Sequence, residues 1–299
     1  MRMKTYINNC VIKHLICECD SIFLELFINK LKNFKELTEY YFCVPLNIYD
    51  LTYESDNRDK VNLLLSFIDK FKSQNYSPEF DDEKKCMTNF CSEFLSDNEY
   101  FGCIVKNSEL YFDFDEYKNI SYLAISGFDI NSNVLLKFYR ELVLKFNIDN
   151  EKLKQISDIL FPDIYIHWDE NKIKIEHLGK KNLSIVEWIF KCFAFLNDNK
   201  KINYSENTFI NTVKARWGLD LSPESYKTRK NHTAMNERKI KIIDKINNAK
   251  IVEITCEWHF KYSPTSGRIY FNFNNTGDIF VNDIKNKPIV GIFSKHLST

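Results

Sequence analysis

The sequence predicts an α+β protein: a mixed N-terminal region of hairpins and helices, then a smaller domain of helices packed on a four-stranded antiparallel meander. Three observations carry this expectation. Apolar runs alternate with helically spaced patterns through residues 1–196, four short apolar runs close the chain between turn sequences, and the polar stretch Asn197–Glu206 separates the two parts. The boundary is therefore placed between 198 and 199. The chain has 299 residues and is 44% apolar, enough for two domains with real cores and too apolar for intrinsic disorder.

In chain order, Tyr6–Cys17 reads as a strand that stops at Asp20-Ser21, a helix N-cap pair. Ile22, Phe23, Leu26, Phe27 and Leu31 then recur at helical spacing. Tyr40–Ile48 is aromatic and branched enough for a strand, with Pro45 arguing for an edge or a bulge. Val61, Leu64, Leu65, Ile68 and Phe71 mark a second helix, and Lys84–Leu95 a third. Tyr100–Phe114 reads as a hairpin turning at Lys106–Glu109, followed by a strand at Tyr122–Ile125 and helices at Val134–Phe146 and Glu151–Leu160. Ile164–Trp168 and Ile173–Glu176 suggest a second hairpin around Asp169–Lys172. Leu183–Leu196, with Trp188, Phe190, Phe193 and Phe195 around its circumference, is expected to be a central core helix.

Past the boundary, Thr208–Trp217 reads as a helix, Asp220–His232 as a polar basic loop, and Ala234–Asn248 as a helix with Ile240, Ile243 and Ile246 inward. The four closing strands are Ile251–Tyr262, Arg268–Phe273, Ile279–Val281 and Ile289–Phe293, with turns at Pro264–Gly267 and Asn274–Gly277.

Composition excludes several classes. No run approaches the roughly 20 apolar residues of a membrane helix, and Asn8, Asn9 and Lys13 interrupt any signal-peptide core near the N-terminus, so no membrane partner is expected. Nine cysteines without a CxxC pattern read as reduced thiols of a cytoplasmic protein, against a disulfide scaffold or zinc ribbon. Neither GxxxxGK[ST] nor GxGxxG is present, and no cofactor is expected. Cys86 and Cys91 read as core thiols, and the polar groups around His167 and His177 as solvated hairpin residues. So does the acidic cluster Asp113, Asp115 and Glu116.

The zero net charge hides a polarity. Lys201–Thr299 holds 16 Lys and Arg against 9 Asp and Glu, leaving 25 against 32 for the rest of the chain. A basic third suits a polyanion such as nucleic acid, or a cover formed by the acidic part, and an acidic remainder suits a protein partner.

Alternation along Ile251–Tyr262 puts Glu253, Thr255, Glu257, His259 and Lys261 on one face, a solvated face on its own. A simple hairpin sets Arg268 and Tyr270 across from His259 and Lys261, and the chain end brings Lys295 and His296. Lys and Arg suit a phosphate, His proton transfer near neutral pH, Glu257 a proton or a His, and Tyr270 base stacking. The candidate catalytic set is therefore Glu257, His259, Lys261, Arg268 and His296. The candidate nucleic-acid contacts are Lys227, Arg229, Lys230, Tyr270 and Lys295.

The segments CEWHFKYS (256–263), GRIYFNF (267–273) and PIVGIFSKHLST (288–299) resemble the RelE/ParE-like toxin fold, a family of small bacterial messenger-RNA interferases. The resemblance implies that Lys261 is a family strand lysine, Arg268 the arginine opening the next strand, and His296 the C-terminal His or Tyr. It also implies metal-independent RNA cleavage, the 2′-hydroxyl attacking its own phosphate. The functional expectation is thus a toxin-like bacterial endoribonuclease, by analogy an antiviral-defence hydrolase. A non-catalytic nucleic-acid-binding or assembly subunit is the alternative. A Mg-dependent nuclease, with Glu257 and either Glu237 or Asp244 as ligands, is a further one.

Overall fold

The structure is a computed structural model that describes residues 3–42, 57–70, 101–105, 120–124, 134–180, 182–199, 206–244, 250–274, 284 and 286–298. Its helices and strands place it in the α+β class, as expected. Two compact units divide it, Met1–Asn147 and Ile148–Thr299. The expected boundary at 198/199 falls inside the second unit, because residues 165–166 pair with the last strand and helix 183–198 lies under the same sheet.

In the first unit, β1 (Met3–Ile7), β2 (Thr38–Phe42), β3 (Phe101–Val105) and β4 (Ile120–Ala124) form a sheet in the order β2-β1-β3-β4. Every pairing in it is parallel. Among the described residues its helices are α1 (Asn9–Cys17), α2 (Ser21–Asn33), α3 (Arg58–Lys70) and α4 (Val134–Val143). The long strand expected at Tyr6–Cys17 is instead a strand and a helix. The chain turns at Asn8, whose N–H donates to Ile104 and whose carbonyl accepts from Val11 and Ile12. Buried Val11, Ile12, Leu15 and Ile16 then follow a helical, not an alternating, spacing.

Asp20 caps α2 as expected, accepting from the Phe23 N–H at 2.6 Å. Ile22 and Leu26 are exposed, so the buried stripe runs one position later, through Phe23, Leu24, Phe27, Ile28 and Leu31. Phe34 stacks on Tyr139 at 4.0 Å, tying the end of α2 to α4. The buried Lys60 ammonium of α3 donates to the Cys19 carbonyl between α1 and α2. Among the described residues this unit has no hairpin. The far half of the one expected at Tyr100–Phe114, the helix at 84–95, Pro45 and the acidic cluster at 113–116 lie outside those residues.

The second unit contains α5 (Asn150–Leu160), β5 (Tyr165–Ile166), α6 (Leu183–Asp198), α7 (Glu206–Trp217), β6 (Asp220–Pro223), α8 (Tyr226–Lys230), α9 (His232–Glu237), β7 (Lys239–Asp244), β8 (Lys250–Thr255), β9 (Trp258–Lys261), β10 (Arg268–Asn272) and β11 (Ile289–Ser294). Its main sheet is five-stranded and mixed, β5-β11-β10-β9-β6, with β5 parallel to β11 and the other pairs antiparallel. The four-stranded meander is thus replaced by a sheet gaining β5 and β6 at its edges; Ile279–Val281 lies outside the described residues.

Helix α6 is the core helix expected. Phe193 meets Phe161 and Phe293, and Phe195 meets Phe209, Trp217 and Phe260. The opposite face of the sheet is covered by the β7–β8 hairpin, whose Ile240, Ile242, Ile254 and Cys256 pack with Tyr270, Ile289 and Ile292. At Gly291 a Cβ would come within 2.6 Å of the Cys256 sulfur, so the contact depends on glycine. Burial raises the Cys256 thiol to about 12. Among the described residues Cys17, Cys192 and Cys256 are free thiols.

Three further expectations change. The helix expected at Ala234–Asn248 ends at Glu237, because Ile240 and Ile242 are buried while Ile243 is exposed, a two-residue period. The strand expected at Ile251–Tyr262 breaks at Cys256-Glu257 into β8 and β9, which belong to different sheets. The hairpin around Asp169–Lys172 keeps its turn, with the Lys172 and Ile173 N–H groups donating to Asp169, but its second arm coils into a 3-10 turn, Ile175–Leu178. Among the described residues no helix is long and apolar enough to cross a membrane.

Candidate nucleic-acid interface

The expected basic loop 220–232 is strand β6 followed by α8, with α9 directly after. Helices of five and six residues are not stable alone and need tertiary support. Each is capped: Ser225 accepts from the Thr228 N–H at 3.1 Å and Asn231 from the Ala234 N–H at 3.2 Å.

The pair is also pinned at both ends. Glu224, just before α8, sends its N–H to the Glu257 carbonyl at 2.8 Å. Arg238, just after α9, accepts the Cys256 N–H at 2.9 Å. Their side chains meet beneath the helices, Arg238 Nε standing 2.8 Å from Glu224 Oε1, with both side chains almost wholly buried. His259 Nδ1 lies 3.2 Å from the same oxygen. These contacts meet by distance more than by hydrogen-bond alignment. The guanidinium sits 5.4 Å over the Tyr270 ring, donates to Ala234 at 2.6 Å, and so joins helix, sheet and carboxylate.

Burial lowers the His259 imidazole below its ordinary value of 6.5, despite the carboxylate beside it. Burial pushes the Glu224 carboxyl up, but His259 and Arg238 outweigh it, leaving a group that stays ionised below the usual carboxylate range. Near neutral pH the cluster is therefore an ion pair with a neutral imidazole against it.

The candidate catalytic residues are distributed differently from the solvated strand face expected. The hairpin sets the two pairs across from each other as expected, in a register with Arg268 opposite Lys261 and Tyr270 opposite His259. That face is nonetheless largely buried, with Arg268 4% exposed and Tyr270 2%. Arg268 donates to the carbonyls of Ser263, Pro264, Ser266 and Gly267 at 2.7–3.2 Å and holds the β9–β10 turn together. Lys261 is half-buried and donates to Ser222 Oγ at 2.8 Å. Glu257 is half-buried in the bend between β8 and β9. Tyr270, expected to stack on a base, has its ring against Arg238 and His259, and its hydroxyl accepts from the Leu297 N–H at 3.4 Å. His296 and Lys295 are exposed.

Lys227, Arg229 and Lys230 are all exposed on α8. Beside them stands Tyr226, 73% exposed, with the Lys230 ammonium 4.3 Å over its ring. Sequence reasoning missed Tyr226, Glu224 and Arg238. The signal for the last two was their position, one acid and one arginine bracketing the basic stretch.

Among the described residues no three His, Cys, Asp or Glu side chains gather as a metal-ligand set. Glu237, one proposed metal ligand, accepts from the Ser298 N–H and hydroxyl; the side chain of Asp244, the other, lies outside the described residues. No protein-family model, curated protein or solved structure matches the chain.

Proposed function

We propose that the second unit binds nucleic acid, RNA in preference to DNA, through the surface carried by α8, as a non-catalytic binding or assembly subunit. The observation that carries this is the grouping of three exposed cations around an exposed tyrosine on helices clamped at both ends. Cations meet the phosphates and an aromatic face offers a base a stacking platform. Binding is preferred to metal-independent RNA cleavage because Arg268 is occupied by turn carbonyls, Lys261 by Ser222, and His259 is buried on Glu224. The acidic first unit is then the side that meets a protein partner, in a cytoplasmic setting.

Fluorescence anisotropy of labelled single-stranded RNA and DNA over a salt series tests this. Replacing Lys227, Arg229 and Lys230 together by alanine is expected to weaken binding across sequences and to reduce the log–log salt slope by roughly 2, at ~0.7 per single-strand phosphate. Unchanged affinity and slope would remove the surface from consideration.

A further inference from the structure

Helix α9 ends at the rim of two clefts in the second unit. One, of about 550 Å³, is lined by Lys172, Glu176, His177, Glu237 and Lys295 among others. The other, of about 530 Å³, is lined by His167, Asp169, Lys172, Lys239, Lys241 and Glu253, with Asn236 beside them. Each is of the size that takes a nucleotide. Lys172 lines both, held there by its ammonium donating to the Lys239 carbonyl.

The carboxylates of these walls are engaged by the protein. Glu176 accepts from Asn150 at 2.8 Å, and Glu237 from Ser298 at 2.7 and 2.8 Å. Glu253 pairs with Lys239 at 2.7 Å, and Asp169 accepts from the Asn171 N–H at 2.9 Å. The cations are less so. The Lys241 and Lys295 side chains are exposed; Lys241 stands across the hairpin from Glu253 and lowers its carboxyl from a distance, and neither ammonium donates a hydrogen bond among the described residues. The carboxylates bonded by neutral donors keep their charge, and against them an anion entering either cleft meets an exposed ammonium, Lys172 at the dividing wall, and an imidazole.

We propose that the two clefts flanking Lys172 hold phosphates of one nucleic-acid strand, His167 and Lys241 contacting one and His177 and Lys295 another, with Lys172 between. This rests on the nucleic-acid-binding reading above and extends its footprint along α9, the element that joins the α8 surface to the clefts. A strand suits the pair better than a single small nucleotide, because the two clefts share one wall.

The test uses the full-length protein, a labelled single-stranded RNA long enough to span both surfaces, and the double variant Lys241→Ala, Lys295→Ala. Both positions are exposed, so the tryptophan-detected thermal unfolding of the variant should match wild type. Its salt slope should fall by roughly 1.4, two phosphates at ~0.7 each, with weaker binding to every sequence. An unchanged slope, while the Lys227, Arg229, Lys230 variant binds weakly, would overturn the footprint and leave the α8 reading standing. If both variants bind like wild type, the reading and the footprint fall together. If a free mononucleotide binds wild type but not the double variant, with the RNA slope unchanged, the clefts are small-nucleotide sites and the strand proposal is overturned.

Discussion

Replacing Arg238 by alanine is expected to destabilise the second unit by about 3–5 kcal/mol, the usual cost of stripping one partner from a buried ion pair. The residue is 1% exposed and its loss leaves the Glu224 carboxylate buried without its cation. Urea unfolding followed by tryptophan fluorescence reads this unit alone, since Trp168, Trp188, Trp217 and Trp258 all lie in it. A double replacement of Glu224 and Arg238 by methionine should cost much less than the two alanine variants summed, because no uncompensated charge stays behind. A single-variant loss below about 1 kcal/mol would show that the cluster does not hold the helices.

The same cluster sets a pH dependence. Both His259 and Glu224 have folded values below their ordinary ones, 6.5 and 4.5, so on acidification the unfolded chain takes up the protons first. Stability is then complete above about 6.5 and declines below it as unfolded His259 protonates. A steeper decline follows below about 4.5, as the Glu224 step is added. His167, also lowered by burial, adds to the first step. Comparing wild type with His259→Gln isolates the part that belongs to the cluster; identical pH profiles for the two would refute the assignment.

Arg268→Ala is expected to cost on the order of 3 kcal/mol, in the range for a buried charged donor whose carbonyl partners are left unsatisfied. Four carbonyls of one turn share this guanidinium, and lysine, a compact point charge without the planar fork, should recover only a minor part. RNA affinity, measured well below the melting temperature, should stay near that of wild type. A stable Arg268→Ala protein that has lost RNA binding would return Arg268 to the ligand surface.

What the sequence made legible was mostly local. The Asp20 cap, helix α6 and the β9–β10 register follow from capping chemistry, a run of aromatics and a turn of fixed length. What failed depended on partners far along the chain. Alternation in 257–261 cannot say whether its polar face meets water or protein, and here β7–β8 packs on Tyr270 while Arg268 folds onto the carbonyls of its own turn. The Lys239–Ile242 alternation was present in the sequence but was overridden by the helical spacing of Ile240, Ile243 and Ile246. In the first unit, parallel pairing leaves no short turn between partner strands for a local reading to find.

Strand β11 stands between β5 and β10, so residues 289–294 join the β5 edge to the rest of the main sheet, while β5, at 165–166, waits for it through more than a hundred intervening positions. During synthesis the ribosome emits β5 long before, and β9 and β10 shortly before, the strand that covers the free edge of β10. For that interval a nascent chain exposes the unpaired backbone edge of β10, the kind of edge that seeks other chains. Closure of this unit is therefore a late, long-range event, slower than its local helices would suggest. A chain cut short before Ile289 does not merely lose a tail; it loses the strand that ties β5 to the rest of the sheet.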